Sequence, residues 1–229
     1  MRYHRFIGDF DLSQKQIEVS DSHIRNQWHS VLRLKTGDTV IVCDGNGTES
    51  EATIINLDKK TTTLTILHPH TVIRGAKNNT TLYVSLLRRE NFEIVVQKAT
   101  EIGISHIVPL LTERTVKTGF NRARLEKIIL EASEQSGRTV LPKLSEPISF
   151  KEAISSVNQK ETVLFDISGL PLTPNSVSHI TNLLVGPEGG FSEKEVVTAK
   201  EHGCTILSLG ELTLRAETAA IVVSYLGCN

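Results

Sequence analysis

The hydrophobic period of the chain changes once, across HPHTVIRGAKNN at residues 68–79, and that change limits the folds open to it. Before it, DTVIVCDG, TESEATIINL and TTTLTILHPH are short runs rich in Val, Ile and Thr, parted by Gly-Asn-Gly and Asp-Lys-Lys turns. Runs of this length and spacing predict a small β-barrel or sandwich. After it, apolar runs alternate with segments of helical spacing. TLYVSLL leads to RENFEIVVQKATEIG, HIVPLL to NRARLEKIILEASEQSG, and TVLFDI, NLLVG and CTILSLG are interleaved with SEKEVVTAKEHG before an almost wholly apolar LRAETAAIVVSYLG. Such alternation predicts an α/β domain built on a mainly parallel sheet. The boundary falls near residues 70–78, giving a first domain over 1–72 and a second over 73–229, each long enough to bury a core.

Helix punctuation sharpens this reading. In the first domain DSHIRNQWHSVLRLKTGD predicts one helix, capped by Asp21 or Ser22, with Ile24, Trp28, Val31 and Leu32 on one face and Gly37 at its end. In the second, Phe92, Val95, Val96, Ala99 and Ile102 share the inner face of a helix that stops at Gly103. Asn121 and Gly137 bracket the next helix, and Ser192 with Glu195 forms a Ser-x-x-Glu box ahead of a helix that ends at Gly203.

Net charge is −1, which speaks against a generally basic nucleic-acid binder, but the charge is uneven. Residues 74–143 hold 12 Lys+Arg against 7 Asp+Glu, whereas residues 144–229 hold 5 against 10. A positive middle segment suits a local phosphate-facing surface or simply solvated helix faces. No apolar run reaches the roughly 18 residues of a membrane span, and MRYHRFIGDF lacks the apolar stretch of a signal peptide. Cys43, Cys204 and Cys228 are scattered and odd in number, which fits a reducing compartment, so a cytoplasmic protein is expected. Neither the cysteines nor His4, His23, His29, His68 and His70 show metal-ligand spacing, and no metal site is expected.

The chemistry points to two loops. LVGPEGGFSEKE, residues 184–195, runs from a strand through a bare Gly-Pro-Glu-Gly-Gly turn into a helix start. In parallel α/β sheets ligands settle on loops beyond the carboxyl ends of strands. Gly186, Gly189 and Gly190 let a ligand lie against the backbone, and free amides at the helix start would favour an anion. Neither a Walker loop nor a dinucleotide fingerprint is present. LSLGELTLRAETAA repeats the strand-to-helix design and brings Arg215, Glu217 and Thr218 into the first turn of the last helix, where an arginine opposes the helix dipole.

These loops resemble those of the SPOUT methyltransferases, and within them the RsmE family. RFI near the start, HSVLRLKTGD with CDGNG, QKATEIGISHIVPLLTER, LEKIILEASEQSGRTVLP, LVGPEGGFSEKE and LGELTLRAETAA carry the resemblance over most of the chain. It implies an N-terminal PUA-like β-barrel that binds RNA and a C-terminal α/β domain tied in a trefoil knot. It also implies a homodimer, the cofactor S-adenosyl-L-methionine, and methylation of N3 of a specific uridine in 16S ribosomal RNA, with the RNA or the 30S subunit as partner. Cofactor contacts are then expected from Leu164, Phe165, Gly186, Pro187, Glu188, Gly189, Leu209, Gly210, Leu214 and Thr218. The resemblance lapses at Leu212-Thr213, where relatives carry a basic residue followed by Ile or Val, so no RNA contact is assigned to Leu212.

For the chemistry, Arg215 is the expected cation beside the nucleobase, with Glu188 or Glu217 either removing the imide proton or orienting Arg215. RNA phosphates are expected to meet Arg2, His4, Arg5, His29, Arg33, Arg88, Arg89, Lys98, Arg114, Arg122, Arg124 and Arg138. Two rival readings stand beside this one: a related enzyme acting on a ribose 2′-hydroxyl or another base, and an RNA-binding barrel with a vestigial second domain.

Overall fold

The computed structural model describes residues 3–58, 61–75, 79–116, 119–173 and 180–229. The chain forms two compact units, one of Met1–Arg74 with Ser133–Leu141 and one of Gly75–Ala132 with Pro142–Asn229.

The first unit holds strands β1 (Arg5–Ile7) and β2 (Gln16–Val19), helix α1 (Ser22–Asn26), and strands β3 (Thr39–Cys43), β4 (Thr48–Leu57), β5 (Thr62–Ile66) and β6 (His70–Thr71). They pair in the order β1-β3-β4-β5-β2, with β6 on β4. β5 alternates buried and half-buried residues along its whole length, the mark of a strand with one face on a core. That core gathers Phe6, Trp28, Val40, Val42, Ile54 and Leu64, with the Phe6 and Trp28 rings edge to face at 5.2 Å. Asp21 caps α1 by accepting from Ile24 N, as the sequence suggested. The helix ends sooner than expected, however. It passes into a π-helical turn over Gln27–Val31, and Arg33 then takes a positive φ of 53°. The wider turn rotates Val31 out of the apolar face, leaving it 67% exposed, while Gly37 serves the turn into β3.

Ser133–Leu141 belongs to this unit through a chain of backbone bonds. Gly47 N donates to Thr139 O, Leu141 N to Gly45 O, and Ile7 N to the Glu134 carboxylate at 2.9 Å. Glu49, only 5% exposed, sits under it and pairs with Arg5 and Arg74, while Arg74 Nε donates to Gly137 O. Burial works to raise the Glu49 carboxyl's pKa, but hydrogen bonds and charge from Arg5 and Arg74 outweigh it and hold the carboxyl below its ordinary value of 4.5.

The second unit begins with β7 (Thr81–Ser85), α2 (Arg89–Ile102), β8 (His106–Leu111) and α3 (Arg122–Ser136), whose last turn belongs to the first unit. It continues with β9 (Lys143–Leu144), β10 (Ile148–Ser149), α4 (Phe150–Ser156), β11 (Thr162–Pro171), β12 (Asn182–Val185), α5 (Glu193–Glu201), β13 (Thr205–Ser208) and α6 (Ala216–Cys228). The strands form one parallel sheet in the order β10-β8-β7-β12-β11-β13, with β9 on β8. Successive residues of β12 serve opposite faces. Leu183 meets the backbone of α6, where a Cβ on Gly227 would stand 2.7 Å from its Cδ1. Leu184 packs with Phe150, Ile154, Val196 and Ala199 of α4 and α5. Because the strands are parallel, their carboxyl ends lie on one edge, and the loops leaving β11, β12 and β13 gather there.

Glu49→Gln is expected to destabilise the chain by about 3 kcal/mol at pH 7, since it leaves two guanidinium groups without their buried counter-charge. A carboxyl with a lowered folded pKa stabilises above its unfolded value and loses that contribution as pH falls through the folded one. The deficit of the variant, read by denaturant unfolding of the full chain, should therefore shrink as pH drops below 4.5.

Candidate active site

Three loops build the site. β11 pairs with β13 in two stretches, and Phe165 and Leu170 both stand opposite Leu207, so Asp166–Gly169 bulge out between them. Gly169 makes this possible, because a Cβ there would fall 2.5 Å from the Leu207 carbonyl carbon. The Asp166 carboxylate closes the bulge by accepting from Ser168 N at 2.9 Å and Ser168 Oγ at 2.6 Å.

After β12, Gly190 N donates to Pro187 O at 2.8 Å and Gly190 turns with φ 69°. The helix that follows starts with a complete capping box: Ser192 N donates to Glu195 Oε2, and Glu195 N to Ser192 Oγ. Two of the amides at this helix start are thereby taken by the chain's own capping box, and a buried carboxylate already stands at that end. The other oxygen, Glu195 Oε1, accepts from Glu113 N at 2.9 Å, and Arg114 Nη1 donates to Gly189 O at 2.7 Å and Phe191 O at 3.2 Å. The loop after β8 is thus tied to the glycine turn. After β13, Gly210 takes φ 131° with its N–H on Ser208 Oγ.

These loops enclose a cavity of about 320 Å³. Phe165, Ile167, Leu209, Leu212 and Leu214 supply apolar wall, Gly186–Gly190 supply bare backbone, and Arg114, Asp166 and Glu188 are its charged residues. A cavity of this size, walled by apolar side chains, bare backbone and a few charged groups, suits a small-molecule ligand. With a single guanidinium already spent on carbonyls, it does not suit a polyphosphate.

Beside the cavity, α2 collects both acidic candidates. Glu188 Oε1 accepts from Arg88 N at 3.3 Å, and Asn91 Nδ2 reaches Glu217 Oε2 at 3.4 Å, so both carboxylates lie at the first turn of that helix. Arg215 is the N-cap residue of α6 rather than a member of its first turn; its side chain is exposed and has no partner among the described residues.

A family profile described as an RNA methyltransferase domain matches residues 75–226, and one described as an RNA methyltransferase PUA domain matches residues 30–67. The ribosomal RNA small subunit methyltransferase E of Rickettsia conorii is 29% identical over 96% of this chain and 93% of its own. The ribosomal RNA small subunit methyltransferase E 2 of Borreliella burgdorferi is 32% identical over 90% and 88%. The crystal structure of a ribosomal RNA small subunit methyltransferase E from Neisseria gonorrhoeae bound to S-adenosyl methionine matches with a TM-score of 0.89, at 29% identity, over 97% of this chain and 95% of that one. The chain belongs to the ribosomal RNA small subunit methyltransferase E family. Its fold is accordingly a SPOUT-like methyltransferase fold with a mainly parallel sheet, accompanied by a PUA domain.

For this family member the structure sorts the residues singled out in the sequence. Phe165, Gly186, Pro187, Glu188, Gly189, Leu209, Gly210 and Leu214 line the cavity. Leu164 does not; it is fully buried beneath it, packed with α4 and α5. Thr218 is exposed on α6 and absent from the lining, while Asp166, Ile167 and Leu212 line the wall without having been expected there. Among the cations, Arg2 lies outside the described residues. His4, His29, Arg33 and Arg88 are exposed. Arg89 and Arg124 share Glu93, Lys98 pairs with Glu101, and Arg122 with Glu126 and Glu146. Three readings need correction. Arg138 is 5% exposed with its guanidinium on Val140 O, Arg5 is spent on buried Glu49, and Arg114 clamps the glycine turn, so their side chains serve the fold rather than a phosphate. Among the described residues no group of His, Cys, Asp and Glu could hold a metal ion, and no helix is long and apolar enough to cross a membrane.

Arg114→Ala should remove the hydrogen bonds to Gly189 and Phe191 and cost about 1–3 kcal/mol, read as a melting temperature lower by several degrees. Arg114→Lys, without the fork, should recover only part of it.

Proposed function

We propose that this chain transfers a methyl group from S-adenosyl-L-methionine to N3 of a uridine in 16S ribosomal RNA, with the RNA or the 30S subunit as substrate. The observation that carries the reading is the cavity at the carboxyl ends of β11, β12 and β13, walled by bare backbone and apolar side chains, with Arg215 next in sequence to its lining residues Leu214 and Ala216 and without a side-chain partner among the described residues. The relative with a TM-score of 0.89 is described with S-adenosyl methionine bound, and the wall here fits that group. Gly210 has nothing within 4 Å of where its Cβ would stand, so the backbone is open to an approaching ligand.

Phe165, Leu209 and Leu214 would hold the cofactor's apolar surfaces, and the Gly186–Gly190 backbone its polar edge. When bound, the cofactor supplies a methyl already activated by a sulfonium. What remains for the protein is to orient the acceptor, exclude water, and see the imide proton leave N3 as the new N–C bond forms. Arg215 takes the electrostatic part in this reading. A guanidinium free of any partner among the described residues can meet the negative charge that grows on the uridine carbonyls. Glu188 and Glu217 each accept a hydrogen bond from the start of α2, which supports their reading as base or as orienting groups.

The wider assignment follows the family. The first unit acts as the RNA-binding domain and the second as the methyltransferase domain, the enzyme working as a cytoplasmic homodimer. Exposed His4, His29, Arg33 and Arg88 meet phosphates without first breaking an ion pair. The strand order supports a trefoil knot: β12 lies between β7 and β11 although it follows both in sequence, and α6 returns to pack on α2 and β12.

Arg215→Ala should lower turnover on small-subunit RNA by about 10²-fold while leaving cofactor affinity nearly unchanged. Single-turnover methylation and calorimetry separate the two. The reading as a whole fails if ribosomal RNA from a strain lacking the gene keeps its full complement of N3-methyluridine.

A further inference from the structure

The cavity wall carries a group that the mechanism above leaves unused. Asp166 lies within the bulge between Phe165 and Leu170, and the bulge is a built feature: Gly169 admits the backbone against Leu207, and Ser168 locks the turn. Bulges of this kind re-aim a side chain beside a site. The two carboxylate oxygens have different duties. Oδ1 takes both hydrogen bonds from Ser168, whereas Oδ2 has no partner among the described residues and faces the bare side of Gly190, 4.0 Å from where a Cβ would stand. Of the cavity's other charged residues, Arg114 is committed to two backbone carbonyls and Glu188 to the start of α2.

We infer that Asp166 is a ligand-recognition residue of the methyl-donor site, its Oδ2 accepting a hydrogen bond from an O–H or N–H group of the donor. This rests on the donor reading above. A carboxylate oxygen can only accept, so it selects ligands that present a hydrogen-bond donor to that point of the wall. S-adenosylmethionine presents three such groups, the adenine amino group, the ribose hydroxyls and the amino-acid ammonium.

Asp166→Asn is a narrow test. Asn keeps an oxygen for Ser168 and replaces the free acceptor with an N–H donor. Calorimetry on the full chain, using S-adenosylmethionine and methylthioadenosine, which keeps the ribose but lacks the amino acid, reads the consequence. The expected result is a loss of S-adenosylmethionine affinity of about tenfold or more. A parallel loss for methylthioadenosine places the contact on the nucleoside, at the ribose or the adenine amino group; a loss confined to S-adenosylmethionine places it at the ammonium. Asp166→Ser keeps an acceptor for the turn and nothing at the Oδ2 position, and should behave alike should the Asn variant fold poorly. Ser168→Ala loosens the turn but leaves Oδ2 in place, and should bind within about twofold of the parent.

The inference is overturned if folded Asp166→Asn binds S-adenosylmethionine like the parent, or if Ser168→Ala loses as much affinity as Asp166→Asn. A parent chain that binds neither compound would instead overturn the donor reading itself.

Discussion

The site depends on one buried carboxylate. Glu195 is 8% exposed, and an acid so placed is tolerable only when its oxygens are satisfied. One oxygen closes the capping box with Ser192 and sets the entry of α5; the other takes the backbone N–H of Glu113. A single side chain therefore fixes where the glycine turn ends and holds the loop after β8 against it. Arg114, the next residue along, is thereby delivered to the carbonyls of Gly189 and Phe191. A turn as poor in side chains as Gly-Pro-Glu-Gly-Gly has little means of ordering itself, and the order comes from these neighbours.

Much of this frame was legible in the sequence because it is local. Caps and stops at Asn121, Ser192, Gly103 and Gly137 work within a few residues, and the structure shows Asn121 accepting from Arg124 N and both glycines at positive φ. Helix α4 carries the same kind of signal in Ser149-x-x-Glu152, with both box hydrogen bonds made, yet its run of only seven residues directly after a two-residue strand hid it. The inward turn of Val31 failed for a local reason too, a π-helical turn that shifts the face by a fraction of a residue.

What the sequence withheld is long-range. Nothing in SGRTVL announces that Ser133–Leu141 pairs with residues near Gly45 and Gly47, since the partners are roughly ninety residues away. Arg5 and Arg138 look like any surface cations until Glu49 and Val140 are seen beside them. The bulge at Asp166–Gly169 is invisible for the same reason: Gly169 is demanded by the backbone of Leu207, a residue on another strand. Its one sequence trace is the Asp-x-Ser-Gly order, a turn signal inside a strand pattern.

The placement of charge follows from this arrangement. A parallel sheet brings the strand ends together, but it cannot leave every polar group near a ligand free, because most are needed to hold the loops. Arg114, Glu195 and Ser192 are consumed in that way, and Glu188 and Glu217 are each drawn to α2. Arg215, by contrast, has no side-chain partner among the described residues and stands outside the helix hydrogen-bond ladder at an N-cap, a position where a helix offers a cation no favourable interaction. A guanidinium held where its own fold does not reward it is available to a charge that arrives with a ligand, and this is the physical reason the proposed reaction sets it beside the acceptor rather than among the residues that build the pocket.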